Sequence, residues 1–392
     1  MDTEKKTLFS GIVADLTSQI NTGKFSPGDQ IPTELALAQQ YGVSRITSKR
    51  ALEELERAGY IYRQQGSGSF VRQRFSEQNA QAMSGTKFAA LIMPFANNLG
   101  NSMSMITEFN SVLNTEKVLL TIHNSHNSKD EERNLLNMLV ESGAQAIALY
   151  PISHRNNLDL LYHLKLKGFP LVVLDKYIDA FDLNCVLSDN FSGGYLAAEY
   201  LIGLGHRNIC FLSDRDLGAA TSVRDRCLGF YKAHWDHNIE CDEQNIEVFE
   251  DVDVVSAVHQ GEDNEQLLDK GKTIFERIYQ NKPNTTAIQC INDYMAIFML
   301  RVARRMGISI PGQLSIVGFD NSEICSHLDV PLTTINQDVQ GIGQAAAECI
   351  LELMRPDAVN RPIQKKLVPV KLVVRDSCTA VGQMVGVCKA KA

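Results

Sequence analysis

Leu8, Ile12, Leu16 and Ile20 recur every four residues near the start of the chain. That spacing predicts one apolar face of an amphipathic helix. Asn21-Thr22-Gly23 supplies its stop and Pro27-Gly28-Asp29 a turn. Thr33 can cap a second helix whose apolar positions are Leu35, Ala38 and Tyr41, and Gly42 ends it. Ser44 caps a third helix from Arg45 to Arg57, which stops before Gly59. On this helix Ala51, Leu52, Leu55 and Ala58 form one apolar stripe. Arg45, Ile46, Lys49, Arg50, Glu53 and Arg57 lie largely off it. Tyr60–Arg63 and Ser69–Val71 then flank a glycine-rich turn, Gln64-Gln65-Gly66-Ser67-Gly68, as the two arms of a hairpin. Two short helices about a tight turn, followed directly by a hairpin, predict a winged helix-turn-helix.

From Phe88 onward the period changes. The apolar runs Phe88–Met93, Val118–Ile122, Ala146–Leu149, Leu171–Leu174, Ile209–Leu212, Ile246–Phe249, Ala287–Ile291 and Ser315–Val317 read as strands. Between them lie helical stretches such as Asp130–Glu141, Phe191–Leu204, Ser222–His237 and Tyr294–Met306. Repeated βα alternation predicts parallel sheets covered by helices, and the length suffices for two lobes. The expected organisation is a winged-helix domain over residues 1–74, a polar linker over 75–87, an α/β domain over 88–378 and a small-residue tail, expected to be disordered, over 379–392. Asp175, Asn292-Asp293 and Asp320 each follow a strand. In open α/β sheets ligands bind outside the carboxyl ends of strands. Taken singly, such residues also serve as caps and turn formers.

Charge sharpens the division. The chain of 392 residues has a net charge of −8, but residues 1–74 carry ten Lys/Arg against eight Asp/Glu, and Ser44–Arg74 carries seven against three. A locally basic segment on an acidic body fits a nucleic-acid docking module. The nine cysteines are scattered, odd in number and never spaced C-x-x-C. A disulfide framework and a zinc site are therefore not expected, and a reducing cytoplasm is. The N-terminus does not read as a secretory signal, and no apolar run of about 18 residues predicts a membrane span. The Gly66-Ser67-Gly68 loop has no Walker lysine, and no G-x-S-x-G or H-E-x-x-H occurs.

Ile31-Pro32-Thr33-Glu34, Leu37-Ala38, Gly42-Val43-Ser44-Arg45-x-Thr47, Ala51-Leu52-x-x-Leu55, Gly59-Tyr60-Ile61 and Gln65-Gly66-Ser67-Gly68-Ser69-Phe70-Val71 resemble the GntR winged-helix family. The resemblance implies DNA contacts from Arg45, Thr47 and Lys49 on the recognition helix and from Gly66 in the minor groove. Thr33 and Ser44, at helix N-termini that favour phosphate, and Gln65, Ser67 and Gly68 of the wing complete the expected DNA-binding set. Ser48 falls on the core face and is not expected to touch DNA. Leu35 and Lys49 stand where the family often has arginine, and lysine lacks the bidentate fork that reads guanine.

The remainder resembles the LacI-type effector domain, which shares its fold with periplasmic sugar-binding proteins. The resemblance is carried by His123-Asn124-Ser125, Val172-Val173-Leu174-Asp175-Lys176, Ser188-Asp189-Asn190-x-x-Gly193, Leu204-Gly205-His206-Arg207-Asn208-Ile209, Arg226-x-x-Gly229-Phe230, Asn292-Asp293-x-x-Ala296, Leu314-Ser315-Ile316-Val317-Gly318-Phe319-Asp320 and Pro331-Leu332-Thr333-Thr334-Ile335-x-Gln337. It implies that Asp175, Arg226, Asn292 and Asp320 line an effector cleft, as suits groups that exchange hydrogen bonds with vicinal hydroxyls. Phe249 is either a stacking surface for a sugar or a core residue, and Tyr150 is a similar candidate. Asn97–Met105 lacks the family's aromatic pattern, and the acidic stretch Glu250–Asp263 has no family counterpart.

A GntR-type reader joined to a LacI-type sensor resembles the arabinose-repressor subgroup. The implied protein is a homodimeric repressor of carbohydrate-utilisation genes. It would bind a palindromic operator in double-stranded DNA and be released by a monosaccharide, L-arabinose or another, with no cofactor and no metal. A nucleoside effector, activation instead of repression, and fusion to a pyridoxal-phosphate enzyme are the alternatives. The last needs a Schiff-base lysine motif that the sequence does not display.

Overall fold

A computed structural model describes residues 2–21, 24–25, 28–57, 60–64, 68–71, 87–94, 100–250, 254–259, 265–355 and 362–385. The chain divides into two compact units, Met1–Thr86 and Lys87–Ala392.

The first unit contains α1 (Asp2–Asn21), α2 (Glu34–Tyr41), α3 (Arg45–Arg57), β1 (Ile61–Gln64) and β2 (Gly68–Val71). The two strands pair antiparallel, Ile61 opposite Val71. Ile12 and Leu16 of α1, Leu37 of α2, Ala51, Leu52 and Leu55 of α3, and Ile61 and Val71 of the hairpin close one small core. Thr33 Oγ1 accepts from Ala36 N at 3.3 Å, and Gly42, at φ +62°, ends α2. Ser48 is fully buried. Its hydroxyl donates to Glu34 O at 2.6 Å and contacts Arg45 O at 3.0 Å, tying the start of α3 to the start of α2. The apolar face of α2 differs from the expectation: Leu37 is buried and Leu35 is 59% exposed. The two side chains point in nearly opposite directions on an α-helix, and packing against α3 selects Leu37. The wing residues Gln65, Gly66 and Ser67, and linker residues 75–86, lie outside the described residues.

In chain order the second unit runs β3 (Phe88–Met93), α4 (Gly100–Thr115), β4 (Leu119–Asn124), α5 (Lys129–Glu141), β5 (Ala146–Leu149), α6 (Leu158–Leu166), β6 (Leu171–Leu174) and β7 (Asn184–Ser188). It continues with α7 (Asn190–Gly203), β8 (Ile209–Ser213), α8 (Thr221–Asp236), β9 (Ile246–Val248), α9 (Val254–His259), α10 (Glu265–Asn281), β10 (Ala287–Cys290), α11 (Asp293–Arg305), β11 (Ser315–Asp320) and β12 (Thr333–Gln337). It closes with α12 (Val339–Leu353), β13 (Lys365–Val368) and β14 (Val370–Val373). One six-stranded sheet has the order β13-β7-β6-β5-β3-β4, the other β14-β12-β11-β10-β8-β9. All pairs are parallel except β12 with β14. The central strands β5, β6, β8 and β10 are buried along their whole length, as uninterrupted apolar runs in helix-covered sheets require.

Each sheet is the centre of one lobe. The chain passes between lobes three times, at Ser188–Asn190, Gln337–Val339 and Val368–Val370. These crossings are cross-braced. Asp189 N donates to Val368 O at 2.9 Å, and Ser188 Oγ donates to Gln337 Oε1.

The chain from Thr379 to Val385 is built into the second lobe, contrary to the expected disorder of 379–392. Val381 N donates to Leu204 O at 3.0 Å and Val385 N to Gly312 O at 2.8 Å. Backbone pairing needs no large side chain, so small-residue composition did not reveal this docking. Residues 386–392 lie outside the described residues. His206 is fully buried between Thr286 Oγ1 at 2.8 Å and Thr379 O at 3.0 Å, and burial pushes its pKa down to about 4. Among the described residues no helix is long and apolar enough to cross a membrane.

Candidate functional site

Between the lobes lies a cleft of about 850 Å³, within the size range of small-molecule sites. Lobe one contributes Tyr150, which follows β5, and Asp175 and Lys176, which follow β6. Lobe two contributes Arg215, Ser222, Arg226, Asn292 and Asp320. Gln337, at the second crossing, forms part of the wall. Tyr150, Asp175, Arg226, Asn292 and Asp320, five of the six sequence-predicted effector residues, are thus gathered in one cavity. Phe249 is not. It follows β9, the edge strand of its sheet, and packs 6% exposed in the lobe-two core, its ring 5.7 Å from the Arg277 guanidinium. An edge strand lies at the side of the sheet, away from the central strand ends that open on the cleft.

The strand ends hold their carboxylates in unusual backbone. Asp175 has φ +66°, Asp320 φ +118° and Asn321 φ +55°. Non-glycine residues pay roughly 1–3 kcal/mol for such conformations, which persist where the surroundings over-determine them. The surroundings here are specific. Asp320 Oδ1 accepts from Gln337 Nε2 and lies 3.7 Å from Arg226 Nη2. Arg226 donates from Nε to Asn190 Oδ1 at 2.9 Å and from Nη1 to Ile291 O at 2.6 Å, and its guanidinium stacks 3.6 Å from the Phe319 ring centroid. Asp175 Oδ2 is 2.9 Å from Lys176 Nζ, which also lies 4.4 Å from the Tyr150 ring centroid. Asn292 Oδ1 caps α11, accepting from Met295 N at 2.8 Å.

The two cleft carboxyls are driven apart electrostatically. Burial alone would raise Asp175, but Lys176 and Arg226 outweigh it and hold the carboxyl below its ordinary value. Burial pushes Asp320 up to about 7, Arg226 opposing and the Asp293 carboxylate adding to the rise. The cleft therefore offers a firm anion on one lobe and a carboxyl that changes state near neutral pH on the other. A group whose folded pKa is raised stabilises the fold fully below its unfolded value and loses that contribution as pH rises through its folded value. The stability of Asp320→Asn relative to wild type is therefore expected to increase between about pH 4 and pH 7. Urea unfolding of both proteins at several pH values reads this. A difference that stays constant would contradict it. The comparison cancels the buried histidines, such as His206 and His234, whose lowered values act with the opposite sign.

The lobes also meet outside the cleft. Arg224 of α8 donates to both oxygens of Asp179, at 3.0 and 2.9 Å, and to Tyr177 OH at 2.8 Å. Tyr177 N donates to Thr221 Oγ1 at 3.0 Å.

Lys176, Arg215, Ser222 and Gln337 also line the cleft and were not among the residues expected there. Lys176 and Gln337 sit inside the motifs that carried the resemblance, so a signal existed. Arg215 and Ser222 had none: their places depend on where the loop between β8 and α8 turns. The acidic stretch after Glu250 carries α9, whose Val258 reaches the cleft wall. Val258 O accepts from Arg301 Nη1 at 2.7 Å.

On the first unit, Ser44 Oγ accepts from Thr47 N at 3.2 Å and caps α3. Arg45 is exposed, its Nε 3.3 Å from Glu34 Oε2. Lys49 is exposed, 3.8 Å from Glu53. The start of α3 thus presents Arg45 and Thr47 in its first turn and Lys49 at the beginning of its second, donors suited to phosphates and base edges. Thr33 is spent on capping α2. Gly68, at φ +122°, opens β2 and uses a backbone conformation natural to glycine.

A helix-turn-helix unit and a two-lobed polar cleft in one chain define a transcription regulator with a ligand-sensing domain. Residues 8–71 match the family model for bacterial regulatory proteins of the gntR family, and residues 198–378 match that for a periplasmic binding protein-like domain. The chain belongs to the gntR-family regulators that carry such a domain. It is 29% identical over 381 residues to an arabinose metabolism transcriptional repressor of Geobacillus stearothermophilus, covering 95% of this chain and 99% of that one. It is 30% identical over 242 residues to the transcriptional repressor PurR of Aliivibrio salmonicida, covering 61% of this chain and 67% of that one. Among solved structures, the regulator CelR in complex with cellobiose superposes with TM-score 0.62 at 19% identity, over 88% of this chain and all of that one. A LacI-family regulator of Enterococcus faecium with bound ribose superposes with TM-score 0.59 at 23% identity, over 75% of this chain and all of that one. These two similarities establish the fold.

Proposed function

We propose that this chain is a carbohydrate-responsive repressor that acts as a cytoplasmic homodimer on a palindromic operator. One observation carries the reading: acceptors and donors from both lobes, Asp175 and Lys176 on one side and Arg226, Asn292 and Asp320 on the other, converge on one cleft. Carboxylates accept from sugar hydroxyls, while Lys, Arg and Asn donate to them. A ligand held by both lobes favours one lobe arrangement by its differential affinity. Effector and operator then disfavour each other by the same factor. The names of the full-length relatives favour a monosaccharide, L-arabinose first, and a regulatory rather than a catalytic role for the cleft.

Thermal unfolding of the full chain with pentoses, hexoses, disaccharides and nucleosides tests this. A ligand at ~100 times its dissociation constant stabilises its site by ~2.7 kcal/mol, a shift of a few degrees. The expected result is one carbohydrate that shifts the transition and also releases the protein from operator duplex. A shift with nucleosides alone would overturn the carbohydrate assignment.

A further inference from the structure

Ile46 is 80% exposed, yet it is the second residue of α3, the helix that carries Arg45, Thr47 and Lys49. The core does not use it: the stripe that packs inward is Ala51, Leu52 and Leu55. Helix propensity does not explain it either, because a β-branched residue in an exposed turn is a weak helix former. Leu35, 59% exposed in the first turn of α2, is a second large apolar side chain nearby. Its neighbour Glu34 is the partner of Arg45, so the two helix starts adjoin. Arg45, Lys49 and Arg50 are exposed beside Ile46, three cations against two carboxylates, Glu34 paired with Arg45 and Glu53 with Lys49.

Those cations point to DNA as the occupant. A protein interface would bury about 800 Å² on each partner around an apolar centre, far more than one or two isolated aliphatic side chains provide. In the major groove the one apolar feature on any base edge is the thymine C5-methyl group.

We infer that Ile46 reads a thymine methyl group and sets one position of the operator half-site. This rests on the DNA-binding reading and adds a specificity residue to it. Direct readout then combines an apolar contact from Ile46 with polar contacts from Arg45 and Thr47. Lys49, lacking the bidentate fork, contributes charge more than base identity.

The test uses the full-length protein and duplexes it selects from a random pool. Each thymine of the selected half-site is replaced singly by deoxyuridine, which lacks only the methyl group. At one position wild-type affinity is expected to fall about fourfold, the value of one buried methyl-sized group. Ile46→Ala is expected to lose sensitivity at that position while keeping the wild-type salt dependence, which reports phosphate contacts. Ile46→Val, which retains a branched apolar side chain, is expected to keep the sensitivity. Because Ile46 is exposed, neither variant disturbs the core. If deoxyuridine has no effect anywhere, or the same effect in Ile46→Ala, the inference is overturned and DNA binding stands. Failure to select any duplex overturns DNA binding and the inference together.

Discussion

Arg226→Ala is expected to abolish ligand-dependent stabilisation and to destabilise the sensor by about 3–5 kcal/mol, the cost of breaking a buried charged network from one side. Arg226 is 7% exposed and holds Asn190 Oδ1 and the carbonyl of Ile291. Removing it leaves two buried acceptors without their donor, each costing about 1–3 kcal/mol. It also takes away the cation that opposes the upward pull of burial on Asp320, so that carboxyl rises further. Ligand binding then fails twice: a fork of donors is gone, and the facing carboxyl holds its proton more tightly. Arg226→Lys separates the two losses. It keeps a charge near Asp320 but cannot reach three partners from one plane. It is expected to recover part of the stability and little of the ligand response. Urea unfolding reads the first effect and ligand-dependent thermal shift the second. A full ligand shift in Arg226→Ala would remove this side chain from the site.

Gly194→Ala is expected to cost about 3 kcal/mol or more, at the upper end for overpacking. A Cβ at 194 would sit 2.0 Å from the carbonyl oxygen of Arg226, and one at Gly229 would sit 2.1 Å from that of Phe191. Both obstacles are backbone, which cannot rotate away as a side chain can. Helices α7 and α8 must therefore separate, and α8 carries Arg226 with it. The variant is expected to lose ligand response as well as stability. Gly203→Ala is the matched control on α7. Nothing lies within 4 Å of a Cβ there, and alanine gains up to about 1 kcal/mol in helix propensity. Equal denaturation midpoints for the two variants would contradict the close-packing argument.

Much of the architecture was legible in the order of residues because local periodicity and local turn chemistry specify it. The caps at Thr33 and Ser44, the stop at Gly42 and the alternation of apolar runs with helical stretches need only neighbours in sequence. Asp175, Asn292 and Asp320 stood out because each follows an apolar run, and the strand-end rule needs no knowledge of which strands pair. Partnership across the chain was a different matter. Leu35 or Leu37 could have faced the core of the first unit, and α3 decided between them. Phe249 shared the strand-end signal with Asp175 and Asp320, but its strand lies at the sheet edge, so it joins the core instead.

The element types of both units were legible in the chain, because they depend on spacing of a few residues. Of the charged cleft residues, Asp175 and Asp320 carried a strand-end signal and Arg226 came with the resemblance to the effector domain, while Lys176 and Arg215 were not anticipated. Tertiary structure alone decided that β13 and β14, two residues apart at Val368 and Val370, enter different lobes and complete a triple crossing. It also decided that Gln337 links Ser188 to Asp320, that Arg215 and Val258 reach the cleft, and that Thr379–Val385 docks on the second lobe. Each of these joins groups tens to hundreds of residues apart. Such contacts are selected by the free energy of the whole packed arrangement, in which a position is favourable only when its distant partners are already in place.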